Sequence, residues 1–209
     1  LWAIAVPSQK FRSVVEHIQP YQRSEVRVVS LAKGFDSNTF MTMTEVLDGV
    51  FDSIPKTHIG ALHGPSHSEE VGKGLPTSVV SAAPSKNTAR RIQDVFMTDN
   101  LRVLLSTDVT GVEVCGAATN VLAIAAGISD GIGYGDNAKA SIITRGFTEI
   151  RDLGLSMGAS EDTFTSLAGL GDLVVTCMSG HSRNRFVGEE LGRGKKLDDV
   201  HASMRMIAE

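Results

Sequence analysis

Residues 165–185, TSLAGLGDLVVTCMSGHSRNR, carry the side chains best suited to hold an anion. Asp172 follows two glycines, and ten residues further on Ser182, Arg183 and Asn184 stand together. The guanidinium of Arg183 is a planar fork of donors that matches a phosphate or a carboxylate, and the hydroxyl and amide beside it add neutral donors. The pattern predicts an oxygen anion held beside a buried carboxylate.

Each half of this pattern also has an ordinary structural interpretation. The apolar residues 173–175 predict a short buried helix with Asp172 at its start, where a carboxylate is a common helix cap. A Ser-Arg-Asn-Arg run without other context is typical of a solvated loop. The spacing alone leaves both interpretations open.

The composition is that of a globular protein that acts on small molecules. The chain has 209 residues, 42% of them hydrophobic and 21% charged, which allows one large or two small domains. A net charge of −4 without large Lys and Arg clusters argues against a nucleic-acid surface. Cys115 and Cys177 lie in apolar runs, which predicts buried thiols in a reducing compartment and no disulfide, and no metal-ligand spacing is present.

Five short apolar runs separated by helical patterns predict an α/β domain. Strands alternating with helices indicate parallel βαβ units, whereas helical periodicity alone continues after residue 106. We therefore expect an α/β domain over residues 1–106 and an all-α domain over residues 107–209. The predicted strands are residues 2–6, 26–31, 58–62, 77–82 and 103–105, and the predicted helices are 8–18, 38–50, 85–96, 111–127, 137–153, 160–167, 185–191 and 197–208.

The ends of the first three strands are the expected ligand-binding edge, because open α/β sheets bind ligands outside the carboxyl ends of their strands. The loops there are residues 6–8, 32–34 and 64–66. Lys33, followed by glycine, is either a cation directed into the cleft or a solvated loop lysine. The Gly-Pro-Ser of residues 64–66 is either a ligand-binding turn or a plain one.

The longest apolar run, residues 112–128, predicts a buried helix and not a membrane span. Glu113, Thr119 and Asn120 interrupt it, and it is rich in Ala and Gly. Buried polar groups need partners, so these three either face the cleft or satisfy their neighbours. The chain opens on LWAIAVPSQ without Met or a basic segment, so we expect no signal peptide and a fragment cut at both ends.

Four segments together resemble the NAD(P)-dependent glycerol-3-phosphate dehydrogenases across essentially the whole chain. They are AKG at 32–34, GPS at 64–66, residues 113–150 and GLGDLVVTCMSGHSRNR at 169–185. The resemblance implies a partial Rossmann-type parallel sheet followed by an all-α C-terminal domain. It also implies interconversion of glycerol 3-phosphate and dihydroxyacetone phosphate with NAD or NADP in glycerolipid precursor metabolism, by a protein that is a homodimer when full length. We expect a cytoplasmic location, and a plastid or other organelle stays open because any transit peptide would precede Leu1.

The resemblance assigns roles to individual residues. Lys33 matches a lysine between cofactor and substrate, and Thr119, Lys33 and Asp172 occupy the catalytic positions. No metal ligand is implied. The substrate positions are Lys33, Gly64, Ser66, Asp172, Thr176, Ser182, Arg183 and Asn184, and the cofactor positions are Lys33, Ser68, Arg183, Ile207 and Glu209.

Two departures from the family pattern bear on activity. Thr119 stands where the family has a lysine that accepts the proton, and loss of such a base typically costs roughly 10²–10⁴-fold in rate. The glycine-rich dinucleotide fingerprint is absent, so we expect this chain alone to bind cofactor poorly. An alternative is a non-catalytic homologue that binds glycerol phosphate. Another β-hydroxyacid-type dehydrogenase is disfavoured, because it would not be expected to carry the whole Ser-Arg-Asn-Arg region with Asp172 upstream.

Overall fold

The first half of the chain builds a five-stranded sheet in the order β1-β2-β3-β4-β5. The computed structural model describes residues 1–204, so Ile207 and Glu209 lie outside the described residues. All five strands fall at or within a few residues of the predicted positions. They are β1 Trp2–Ile4, β2 Val28–Ser30, β3 Ile59–His63, β4 Thr77–Ala82 and β5 Leu101–Ser106.

The predicted parallel sheet is confirmed for three of the four strand pairs in residues 1–204. β1, β2 and β3 run parallel, as do β4 and β5, but β3 and β4 are antiparallel with Leu62 opposite Ser81. A parallel connection needs a crossover, usually a full helix. Residues 64–76 contain only α3, Ser68–Val71, so the chain turns back instead.

Helices cover both faces of the sheet. Val28 and Val29 are neighbours in β2 and therefore point to opposite faces. Val28 packs in a core with α1, Ser8–Ile18, and α2, Met43–Val50, whereas Val29 shares a core with α4, Lys86–Phe96.

Helix α2 begins five residues later than predicted, because a capping box fixes its start. The Thr42 hydroxyl accepts a hydrogen bond from the Glu45 N–H, and the Glu45 carboxylate accepts one from the Thr42 N–H at 2.8 Å. Residues 35–42 instead form a loop closed by a bridge between Phe35 and Thr42.

From residue 109 onward the described chain is helical, as predicted, which confirms the α/β region followed by helices. The longest helix, α5, packs against α6, α8 and α9. A π-helical turn, Leu167–Gly171, leads into α8. The helices are α5 Val109–Ile132, α6 Asp136–Ser156, α7 Glu161–Phe164, α8 Asp172–Met178, α9 Arg183–Gly192 and α10 Leu197–Ser203.

Helix α5 is the core of the helical region. Among the described residues it is long and apolar enough to cross a membrane, yet 72% of its most apolar 18-residue window is buried inside the protein. Leu122 and Ala126 pack there with Phe164 and Leu173. This burial agrees with the core helix predicted over residues 112–128.

Helices α5 and α9 touch through their backbones. A Cβ added to Gly127 would overlap the carbonyl oxygen of Arg185, and one added to Gly188 would overlap that of Ile124. Glycine is therefore required on both helices for this close approach. As a result, the N-terminal end of α9 is held at a fixed distance from α5.

Candidate active site

A cavity of about 240 Å³ lies between the carboxyl ends of β2 and β3 and the starts of α8 and α9. Two of the three predicted loops, residues 32–34 and 64–66, contribute to its lining, whereas Ser8 of the third is buried against Gly34. The lining residues are Leu31, Lys33, Ser66, His67, Ser68, Glu69, Asn120, Asp172, Val175, Thr176, His181, Ser182, Arg183 and Asn184.

An ion pair between Lys33 and Asp172 joins the sheet to the helical region in this cavity. Lys33 Nζ donates to both carboxylate oxygens, at 2.8 and 2.7 Å, and also to the carbonyl oxygen of Gly64 at 3.4 Å. The side chain of Asp172 is only 3% exposed and that of Lys33 is 25% exposed. The N-cap of α8 is Gly171 and Asp172 is the first residue of the helix, with its carboxylate bound to Lys33.

The start of α9 brings Ser182, Arg183 and Asn184 to the opposite wall. The helix begins at Arg183, two residues before the predicted start, because the Ser182 hydroxyl caps it by accepting from the Arg185 N–H at 3.2 Å. Ser182 and Asn184 are buried, so the solvated-loop interpretation is wrong for both. Arg183 is exposed and lines the cavity.

Asn184 has an unused hydrogen-bonding atom in this wall. Its Oδ1 is buried and has no hydrogen-bond partner among the described residues. Buried polar atoms are normally paired, so a ligand that carries a hydroxyl would satisfy an unmet need here.

Thr119 is close to the cavity in sequence but does not line it. It is buried in α5, and its hydroxyl donates to the carbonyl oxygen of Cys115 one turn earlier. Such a bond to the preceding turn is common for threonine within helices. The next residue, Asn120, does line the cavity. The described arrangement therefore directs the Thr119 hydroxyl to the helix backbone.

Glu113 satisfies its neighbours and does not face the cavity. Its carboxylate accepts from the N–H of Thr44 at 2.9 Å and from the Thr44 hydroxyl, at the start of α2. Burial raises the pKa of Glu113 to about 7, although the hydrogen bonds from Thr44 oppose this shift. Of the two interpretations of these polar residues, the structural one holds for Glu113, whereas Asn120 reaches the cavity.

His63 supports the Lys33 loop, and sequence reasoning missed it. Its Nε2 lies 3.1 Å from the carbonyl oxygen of Ala32 and its Nδ1 lies 3.3 Å from that of Val112. Burial lowers the pKa of His63 to about 4, and the charge of Lys33 acts in the same direction. The signal in the sequence was a histidine ending a buried strand, directly before the Gly-Pro-Ser turn.

His67 and His181 were also missed. They line the cavity from opposite walls, with their ring centroids 6.0 Å apart. Gly64 is not among the lining residues, but its carbonyl oxygen accepts from both Lys33 and Ser66. In residues 1–204 no group of three or more His, Cys, Asp and Glu side chains is placed to hold a metal ion.

Two family models match this sequence along most of its length. The model of the NAD-dependent glycerol-3-phosphate dehydrogenase N-terminus matches residues 1–89, and that of the C-terminus of the same enzymes matches residues 108–209. The first match contains Lys33 and the second contains Asp172 and Arg183, so the two walls of the cavity come from the two matches.

Similar proteins give the same result. Glycerol-3-phosphate dehydrogenase [NAD(P)+] 1 of Salinibacter ruber is 59% identical over 209 residues, which are 100% of this chain and 61% of that protein. The enzyme of Chlorobium limicola is 54% identical over 205 residues, covering 98% of this chain and 62% of its own. The chain thus spans about six-tenths of the length of these curated relatives.

Solved structures agree in fold. The glycerol-3-phosphate dehydrogenase of Coxiella burnetii superposes with a TM-score of 0.93 at 35% identity, over 99% of this chain and 62% of its own. A Dunaliella salina structure at 23% identity, with a TM-score of 0.90 over 99% of this chain and 37% of its own, supports the fold alone. Sequence, fold and the pairing of Lys33 with Asp172 agree: the chain belongs to the NAD-dependent glycerol-3-phosphate dehydrogenase family.

Proposed function

We propose that the complete protein binds glycerol 3-phosphate and dihydroxyacetone phosphate in this cavity and interconverts them with NAD or NADP, supplying glycerolipid precursors. The observation that carries the proposal is the placement of the Lys33–Asp172 pair and of Ser182, Arg183 and Asn184 on facing walls of one cavity. The proposed site residues remain those that the resemblance assigned, including Thr176, which lines the cavity.

The start of α9 is the proposed phosphate site. Helix N-termini offer free N–H groups to anions, and Arg183 adds a guanidinium while Ser182 adds a hydroxyl. Asn184 Oδ1, buried without a described partner, suits a hydroxyl of the glycerol moiety. A cavity of about 240 Å³ is below the usual range for drug-sized ligands and suits a molecule of this size.

The sheet side of the cavity is the proposed cofactor side. Lys33 and Ser68 offer an ammonium and a hydroxyl there, groups that fit the hydroxyl and phosphate oxygens of a dinucleotide. A bound nicotinamide supplies the acceptor for the hydride that leaves C2 of glycerol 3-phosphate. The chain must then hold the substrate, stabilise the oxygen on C2 and accept its proton.

Lys33 suits the second of these tasks and not the third. As an ammonium paired with Asp172, it can donate a hydrogen bond to a developing alkoxide. It has to lose its own proton before it can accept another. The Thr119 hydroxyl does not ionise near neutral pH without strong activation, and it donates a hydrogen bond to the carbonyl oxygen of Cys115. We therefore propose that the complete protein binds substrate well but turns it over slowly, unless Lys33 or a water relay accepts the proton.

The Thr119→Lys substitution in the complete protein tests this proposal. A lysine extends well beyond the reach of threonine and carries an amine, so we expect the turnover number to rise roughly 10²–10⁴-fold. Steady-state oxidation of glycerol 3-phosphate with NAD or NADP measures it. Thr119→Met, with similar length and no amine, is the control and should restore nothing. An unsubstituted protein as fast as the Thr119→Lys variant would contradict the damaged-base argument.

A second candidate function is a non-catalytic protein that binds glycerol phosphate. It is favoured by the Thr119 hydroxyl, which donates to the helix backbone and not into the cavity. The residues proposed to bind the phosphate, in contrast, do line the cavity. Calorimetry with glycerol 3-phosphate beside an assay for nicotinamide reduction separates the candidates. Binding without turnover in both the unsubstituted protein and the Thr119→Lys variant would favour this second function.

We further propose that the complete protein is a cytoplasmic homodimer that binds no nucleic acid, with a domain boundary at residues 106/107. The dimer rests on the family resemblance alone. Cys115 and Cys177 are both free and buried, which supports a reducing compartment. Light scattering of the complete protein tests the dimer.

A further inference from the structure

We propose that Asp130, which lies outside the cavity, is a positioning residue for the phosphate site. It holds Arg185 and thereby fixes the start of α9, where Ser182 and Asn184 line the cavity. This inference rests on the proposed function and assigns the affinity of that site in part to a carboxylate that does not touch the ligand.

The Asp130 carboxylate is shared between two cations from two other helices. Its Oδ2 accepts from Arg185 Nη2 at 2.6 Å and from Arg185 Nε at 3.0 Å, while its Oδ1 accepts from Lys139 Nζ at 2.6 Å. The side chains of Asp130, Lys139 and Arg185 are 14%, 11% and 18% exposed. Asp130 is therefore the point at which α5, α6 and α9 meet.

The two cations set the ionisation of the Asp130 carboxyl. Burial raises the pKa of Asp130, but the hydrogen bonds from Lys139 and Arg185 outweigh it and hold the pKa below its usual range. The carboxylate thus stays ionised, and its charge keeps both cations in place. Arg185 also contacts Glu189 at 3.4 Å, within its own helix. That contact cannot tie α9 to another element.

Arg185 connects this cluster directly to the cavity. Its side chain binds Asp130 of α5, and its backbone N–H donates to the Ser182 hydroxyl that caps α9. Its carbonyl oxygen lies so close to Gly127 that no side chain fits between them. The same helix α5 places Asn120 in the cavity. Asp130 therefore sets the start of α9 relative to a second wall of the site.

Removing the charge should loosen this placement without removing any group from the cavity. Binding groups must be held within a fraction of an ångström by their supporting residues, and misplacement weakens the contacts they make. We expect Asp130→Asn and Arg185→Gln each to raise the Kd for glycerol 3-phosphate on the order of tenfold, the size of effect typical of residues that act indirectly on a site. Because both act through one contact, the double variant should bind about as weakly as either single variant.

Calorimetric titration of the complete protein with glycerol 3-phosphate, well below the melting temperature of each variant, tests the inference. A positioning role raises Kd while the stoichiometry stays unchanged, whereas a merely structural role lowers the stoichiometry and leaves Kd alone. Arg185→Lys, which keeps the charge but not the two-fold contact, should lie between Arg185→Gln and the unsubstituted protein. Lys139→Gln should also raise Kd, and it replaces Asp130→Asn in the test if that variant does not fold.

Arg193→Gln is the matched control on the same helix. Arg193 makes ion pairs with Glu189 at 2.5 Å and Glu190 at 2.6 Å, at the far end of α9 from the cavity. Its loss should leave Kd unchanged. An equal rise in Kd for Arg193→Gln, or an unchanged Kd for both Asp130→Asn and Arg185→Gln, would overturn the inference. Absence of binding by the unsubstituted protein would instead overturn the proposed function.

Discussion

Two buried side chains, Glu113 in α5 and His63 in β3, have pKa values shifted in opposite directions. The pKa of Glu113 is raised to about 7, so below pH 7 the folded state binds this proton more tightly than the unfolded chain does. Its contribution to stability is present below about pH 4.5 and is lost as the pH rises to 7. The pKa of His63 is lowered to about 4, so its contribution is lost as the pH falls from about 6.5 to 4.

Glu113→Gln should separate the two effects. Each unit of pKa shift corresponds to about 1.4 kcal/mol. As the pH rises from 4.5 to 7, the free energy of unfolding of the variant should therefore increase by about 3 kcal/mol relative to that of the unsubstituted protein. Urea unfolding at several pH values measures the difference.

His63→Asn provides the opposite comparison. Without the buried imidazole, the variant should become more stable relative to the unsubstituted protein as the pH falls from about 6.5 to 4. If the free energies of unfolding of Glu113→Gln and the unsubstituted protein differ by the same amount at every pH, the raised pKa of Glu113 is contradicted.

The residues that meet at the site were partly readable from the sequence. Asp172 with Ser182, Arg183 and Asn184 was visible as a spacing, and Lys33 as a cation at a strand end. That Lys33 and Asp172 bind one another could not be read, because 139 positions separate them. His63 resembled any strand residue, and Asp130 any surface carboxylate.

The contact between α5 and α9 decides how well the site is formed. Gly188→Ala would place a methyl group against the carbonyl oxygen of Ile124 and force the helices apart. Overpacking of this kind costs about 1–3 kcal/mol, so we expect a loss of that size in the free energy of unfolding, with weaker binding of glycerol 3-phosphate. Urea unfolding and calorimetry measure the two effects.

Gly49→Ala in α2 is the control for this substitution. Nothing lies within 4 Å of an added Cβ there, and alanine is the better helix former. The free energy of unfolding of the variant should therefore rise by about 0.5–1 kcal/mol. A Gly188→Ala variant as stable as the unsubstituted protein would show that the two backbones do not approach as described.

The type of nearly every element was predictable, but its limits and partners were not. Periodicity located α5 and the five strands. The start of α2 depends on the Thr42–Glu45 capping box, whose Thr-x-x-Glu signature is present in the sequence. The antiparallel pairing of β3 with β4 follows from the short link at residues 64–76, which alternation of strands and helices does not reveal. The boundary at residues 106/107 stays a prediction, although every strand found in residues 1–204 lies before it.

The cavity joins the sheet to the helical region, so a bound ligand should stabilise the two together. Glycerol 3-phosphate at a hundred times its Kd should stabilise the complete protein by about 2.7 kcal/mol. Hydrogen exchange should slow on both sides, in residues 31–34 and 64–69 and in residues 172–184, which carry the lining.

Glycerol at the same concentration is the control, since it lacks the phosphate. It should neither raise the melting temperature nor slow exchange. Protection confined to residues 172–184 would mean that the ligand occupies only the helical wall.

The apolar character of α5 has a consequence for the synthesis of the protein. The helices that cover it, α6, α8 and α9, all follow it in the chain, the last ending at Gly192. At translation rates of 5–20 residues per second, roughly 3–12 s pass between the synthesis of Val109–Ile132 and that of the last residue of α9. A nascent segment as hydrophobic as a membrane span is then exposed at the ribosome. Chaperones that bind apolar chain segments are expected to engage it there, before the helices that bury it have been made.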